Sequence, residues 1–157
     1  MVRILFVCTG NICRSPMAQG IFEDVALREG LADEISVDSA GTHGFYTAGE
    51  PPDPRAQESL LSRGIDISAQ RARLLCPEDC GEFDYILTMD EANYRATSAL
   101  CGGNPIVRRF LDYAPGAATE VRDPYLGGAQ GFQYALELIE GASEGLLREI
   151  QARRPGG

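Results

Sequence analysis

Two residues near the start of the chain, Cys8 and Arg14, are separated by five others in Cys8-Thr9-Gly10-Asn11-Ile12-Cys13-Arg14-Ser15. A thiolate is a nucleophile, and a guanidinium grips two oxygens of a phosphate at once, which an ammonium does less well. Gly10 and Asn11 are the residue types that tolerate the left-handed backbone of a tight loop. A nucleophile and an arginine wrapped around one anion are the parts needed for a cysteinyl-phosphate intermediate.

The flanking residues must place that loop. Residues 2–7 form a short apolar run rich in β-branched and aromatic types, which predicts a buried strand. Met17, Ile21, Phe22 and Val25 then recur at helical spacing, and Ser15-Pro16 predicts the helix start, with Ser15 as cap. Cys8 therefore falls where a strand ends and a loop meets a helix N-terminus. Successive N–H groups and the helix dipole there hold an anion, and the same positive environment favours the Cys8 thiolate.

Beyond this point, residues 34–39 predict a second strand that ends at Ala40-Gly41-Thr42. A long Gly/Pro-rich loop follows, carrying His43, Phe45 and Tyr46. Residues 55–63 predict a helix, and 65–75 read as a short apolar stretch followed by a turn or brief helix. Residues 83–89 predict a strand, Asp90 caps a helix through Leu100, and 106–111 predict the last strand. A loop over 113–128 carries Asp123-Pro124-Tyr125. Phe132, Leu136, Ile139, Leu146, Leu147 and Ile150 mark a long amphipathic helix despite Gly141 and Gly145. The tail 154–157 is expected to be disordered. Strands alternating with helices imply a parallel α/β sheet, whose ligands bind beyond the carboxyl ends of the strands.

At 157 residues, a single domain over 1–157 is expected. The net charge of −9 disfavours nucleic acid and reads as solubility. No apolar run spans a bilayer and no leader precedes the first strand, so no membrane partner is expected and the cytoplasm is the default location. Five cysteines, an odd number, argue against a disulfide framework and for free thiols. Cys76-x3-Cys80 with the lone His43 has poor metal spacing, so neither metal nor cofactor is expected. All fourteen basic residues are arginine, from which no function is inferred.

The string Val-Cys-Thr-Gly-Asn-Ile-Cys-Arg-Ser-Pro-Met-Ala on the first strand resembles the signature of the low-molecular-weight protein tyrosine phosphatases. That resemblance implies four parallel strands with helices on both faces, and hydrolysis of phosphotyrosine without metal. It assigns Cys8 as nucleophile, residues 9–15 (Thr9, Gly10, Asn11, Ile12, Cys13, Arg14 and Ser15) as the phosphate cradle, and Asp123 as general acid and then base. Phenols titrate at about 10, so a positioned acid is worth roughly 10²–10⁴-fold in rate. Tyr125 would form one wall of a slot for the substrate ring, and Phe45 or Tyr46 the other. Ser15 would donate to the Cys8 sulfur, Asn11 and Ser39 would hold the loop's shape, and Cys13 could form a reversible disulfide with Cys8. Partners implied are a phosphotyrosine-containing protein, such as a tyrosine kinase, and inorganic phosphate or a similar oxyanion.

Three rivals stay open. A thioredoxin-linked arsenate reductase on the same fold would use Cys76 and Cys80 as relay thiols, but Pro16, Asp-Pro-Tyr and the aromatic loop favour the phosphatase branch. A protein-arginine phosphatase would carry Thr where Ile12 stands. A binding module without turnover would need neither nucleophile nor acid.

Overall fold

The computed structural model describes residues 1–125 and 127–153; the expectation for the tail 154–157 lies outside them. Four strands, β1 (Val2–Cys8), β2 (Ile35–Gly41), β3 (Tyr85–Thr88) and β4 (Val107–Arg109), form one sheet in the order β2-β1-β3-β4. Every pairing is parallel. The helices are α1 (Arg14–Arg28), α2 (Pro54–Leu61), α3 (Glu91–Leu100) and α4 (Gly128–Arg153), with short 3-10 turns at Gly44–Tyr46, Pro77–Gly81 and Phe110–Tyr113.

Side chains alternate along a strand, so β1 feeds two cores. Ile4 and Phe6 point to the side covered by α1, α2 and α4, where Met17, Phe22, Leu60, Phe132 and Leu146 are buried. Leu5 and Val7 point to the other side, with Ile86, Val107 and the α3 residue Tyr94. Helices thus cover both faces, as the resemblance implies. No helix among the described residues is long and apolar enough to cross a membrane.

Several boundaries differ from the sequence expectations for physical reasons. Helix α1 starts at Arg14 with Cys13 at the cap position, and no side chain caps it. Ser15 lies inside the helix, its hydroxyl turned to Cys8. Helix α2 starts one residue early because Asp53 caps it, accepting from the Arg55 N–H at 2.8 Å. Strand β4 stops at Arg109, where the chain turns so that Phe110 packs edge-on against Phe6, 4.9 Å between ring centroids. Residues 65–75 form neither helix nor regular strand; Leu74 makes one bridge to Gly41 at the end of β2. Gly145 inside α4 has a packing reason: a Cβ there would overlap the carbonyl of Tyr113.

The expectation of five free thiols is corrected. Cys80 and Cys101 form a disulfide, because the Pro77–Gly81 turn and the end of α3 bring their Cα atoms to 5.5 Å. Cys8, Cys13 and Cys76 are free.

Candidate active site

Strand β1 ends at Cys8, and the chain turns through residues 9–13 into α1. Asn11 makes the turn possible. Its φ of 56° is the one positive value at a non-glycine among the described residues. Gly10 does not share that conformation, contrary to expectation; its open side faces Ile12 and Thr47 at van der Waals distance. Gly41, directly beside Cys8 in the β1–β2 ladder, is where the sheet needs a missing side chain. A Cβ there would meet the Thr9 carbonyl oxygen at 2.6 Å.

Asn11 also organises the hydroxyls around the sulfur. Its amide oxygen accepts from the backbone N–H of Arg73 at 2.9 Å, which fixes the amide's orientation. Both amide hydrogens are then committed, one to Ser15 Oγ and one to Ser39 Oγ, each at 2.9 Å. Ser39 in turn donates to Gln19 at 2.8 Å. Ser15 accepts from Asn11, so its own hydrogen is free for Cys8 Sγ, 3.0 Å away. Every member of this chain is buried or half-buried, so its hydrogen bonds are made in low dielectric.

Arg14 is 2 % exposed, unusual for an arginine, and its fork is half occupied. Nη1 donates to Asp90 at 2.6 Å and to the carbonyl of Val121 at 2.9 Å; Nη2 donates to Thr9 Oγ1 at 3.2 Å. Of its five donors, the Nε–H and one Nη2–H have no acceptor among the described residues, and two is the number a phosphate edge takes. Burial works against its charge, but Cys8, Asp90 and Asp123 hold its pKa above the ordinary arginine value. Likewise, none of the N–H groups of residues 10–15 donates to a described acceptor. Buried donors left this way are expensive unless an anion satisfies them. Cys13, at the base of the same loop, is a protonated thiol: burial first, then Asp53, Cys8 and Asp123, push it up to about 12.

The second group of candidate residues borders this loop. Val121 donates its N–H to Met89 O at 2.7 Å, tying the chain to the end of β3. Asp123 is exposed and accepts from the Tyr125 N–H at 3.0 Å in a tight local turn. Phe45, Tyr46 and Tyr125 are 55 %, 78 % and 52 % exposed, so burial does not explain these aromatics. Phe45 and Tyr46 pack on each other at 4.2 Å, and Thr47 beside them hydrogen-bonds the Gly10 carbonyl.

The sequence profile of the low molecular weight phosphotyrosine protein phosphatases matches residues 3–155. The chain belongs to that family. A low molecular weight protein-tyrosine-phosphatase of Bacillus subtilis is 40 % identical over 157 residues, 98 % of this chain and 99 % of that one. Among solved structures, a protein tyrosine phosphatase from Entamoeba histolytica, with Hepes in its active site, superposes with a TM-score of 0.92 at 34 % identity, covering 97 % of this chain and 98 % of that one. An arginine phosphatase carrying a phosphorylated active-site serine matches with a TM-score of 0.85 at 28 % identity, covering 98 % of each chain. The protein is accordingly a hydrolase of the protein-tyrosine-phosphatase type, on the four-stranded parallel sheet of that family.

Set in this phosphatase, several site residues escape motif reading. Asp90 reads as a helix cap, and it is one: Oδ1 accepts from the Asn93 N–H at 2.7 Å. Its other oxygen holds Arg14. Asn93 donates to Thr9 Oγ1 at 3.1 Å. Arg73, through its backbone, and Gln19, through Ser39, carry no local signal at all. Cys80 pairs with Cys101, which takes one of the two thiols out of the relay an arsenate reductase would need.

Proposed function

We propose that this phosphatase hydrolyses phosphotyrosine in proteins by two in-line displacements at phosphorus. The Cys8 thiolate attacks, the bond from phosphorus to the tyrosyl oxygen breaks, and Asp123 gives its proton to the departing phenolate. Asp123, now a carboxylate, takes a proton from water as the water oxygen attacks phosphorus. The sulfur–phosphorus bond breaks, and inorganic phosphate and the thiolate are released. Ser15 stabilises the sulfur both as nucleophile and as leaving group. Arg14 and the N–H groups of the loop carry the charge of the equatorial oxygens throughout.

The observation that carries this reading is the Ser15 hydroxyl, already accepting from Asn11 and placed 3.0 Å from the Cys8 sulfur, where its hydrogen can reach a thiolate. An ordinary buried thiol needs no donor aimed at it, whereas a thiolate does. Tyrosine as the substrate side chain is supported by Ile12, which puts no hydroxyl between Asn11 and Cys13, and by the exposed rings of Phe45, Tyr46 and Tyr125. A phosphorylated protein, such as a tyrosine kinase, is the partner that fits an open aromatic mouth. Arginine phosphatase activity is the second reading, because a structure of that kind superposes well.

The test is turnover of phosphotyrosine and phosphoarginine peptides in EDTA, for wild type, Cys8→Ser and Asp123→Asn. Phosphotyrosine is expected to be preferred, Cys8→Ser to abolish turnover, and Asp123→Asn to lower it roughly 10²–10⁴-fold. A preference for phosphoarginine would transfer the substrate assignment to the second reading. An active Cys8→Ser would sink the mechanism.

A further inference from the structure

Arg55, in the first turn of α2, touches both halves of the site. Its Nε and Nη2 donate to the two oxygens of Asp53, each at 3.1 Å, and Nη1 donates to the carbonyl of Tyr125 at 2.7 Å. The guanidinium also stacks between two rings, 4.9 Å from the centroid of Tyr125 and 4.8 Å from that of Phe132. On its other side, the Asp53 backbone N–H donates to Ile12 O in the anion loop at 2.7 Å. Arg55 therefore joins the anion loop, through Asp53, to the far end of the 121–125 segment.

The near end of that segment has a matching anchor. Arg14 holds the carbonyl of Val121, and Arg55 holds the carbonyl of Tyr125. Asp123 lies midway between these two carbonyls. Among the described residues its side chain bonds only within the turn, to Tyr125 N–H, so the segment's anchors set where its carboxyl stands.

We propose that Arg55 is a positioning residue that holds Asp123 over the anion loop by fixing the Tyr125 end of its segment. The proposal rests on the reading of Asp123 as general acid. A lysine could keep the charge, but it could not occupy Asp53, the Tyr125 carbonyl and both ring faces at once. Loss of the anchor should impair proton delivery to the leaving group and leave oxyanion binding intact. A merely structural role would depress both alike.

The experiment measures kcat/KM for two monoesters, phosphotyrosine, whose phenol titrates at about 10, and a nitrophenyl phosphate, whose phenolate leaves without help. Wild type, Arg55→Ala, Arg55→Met, Asp123→Asn and the Arg55→Ala/Asp123→Asn double variant are compared, together with inhibition by inorganic phosphate. Arg55→Ala is expected to lose about tenfold on phosphotyrosine and under about threefold on the nitrophenyl ester. Phosphate inhibition should stay within about twofold of wild type, and the double variant should be no slower than Asp123→Asn alone. Arg55→Met keeps an apolar stem on the two rings; it should show the same selective loss and serves if the alanine variant does not fold. Equal losses on both esters, weakened phosphate binding or fully additive losses would overturn the role of Arg55. If Asp123→Asn itself slowed both esters equally, the general-acid reading would fall, and Arg55's role with it.

Discussion

The anion loop and the acid segment sit side by side but are held in opposite ways. In the loop, Asn11, Arg14 and Ser15 are at most 2 % exposed, and each makes hydrogen bonds that fix its neighbour. In the segment, Asp123 is exposed and its two flanking carbonyls are each held by one arginine. The difference matches the work assigned to each. Charge on the phosphoryl group must meet donors already in place, whereas an acid that reprotonates each cycle must exchange with water.

The sharpest break of that contrast is Arg14→Lys. A lysine keeps the charge but cannot serve Asp90, Val121 O, Thr9 and two phosphate oxygens together. Turnover is expected to fall about 10³-fold, with phosphate inhibition weakened in parallel, checked by steady-state kinetics. Next is Asn11→Ala, which removes three hydrogen bonds and a residue suited to positive φ. It should lower activity about 10²-fold in steady-state kinetics, because Ser15 loses its hold beside the Cys8 sulfur. Asp123→Asn should instead slow phosphotyrosine turnover and leave phosphate inhibition within about twofold of wild type, so turnover and inhibition together separate the two regions. Far from both, Gly145→Ala should cost about 2 kcal/mol of stability in urea unfolding with little change in kcat, since α4 must move off Tyr113. The smallest effect belongs to Cys13→Ser. Its thiol is pushed up to about 12, so it is protonated at every working pH, and the pH–rate profile should not move.

Much of the architecture was legible because it follows from period and composition. The apolar run of β1, the cap Asp90 and the α4 stripe each have a local cause, and each element stands where the pattern put it. Boundaries failed where tertiary contacts took over. Phe110 left β4 to meet Phe6, and Ser15 gave up capping to face Cys8. In the site, the residues with a motif were visible, and those acting through backbone or at long range were not. Arg73 contributes a main-chain N–H from 62 positions away, which no spacing can announce. The pairing of Cys80 with Cys101 was hidden for the same reason, because it depends on where α3 ends relative to the Pro77–Gly81 turn.

That disulfide also has a bearing on the unfolded chain. It closes a segment 21 residues apart in sequence that contains all of β3 and α3. A crosslink of that span removes roughly 3 kcal/mol worth of freedom from the denatured ensemble in the chain-entropy view. When the rest of the molecule melts, this strand and its helix stay on a short tether.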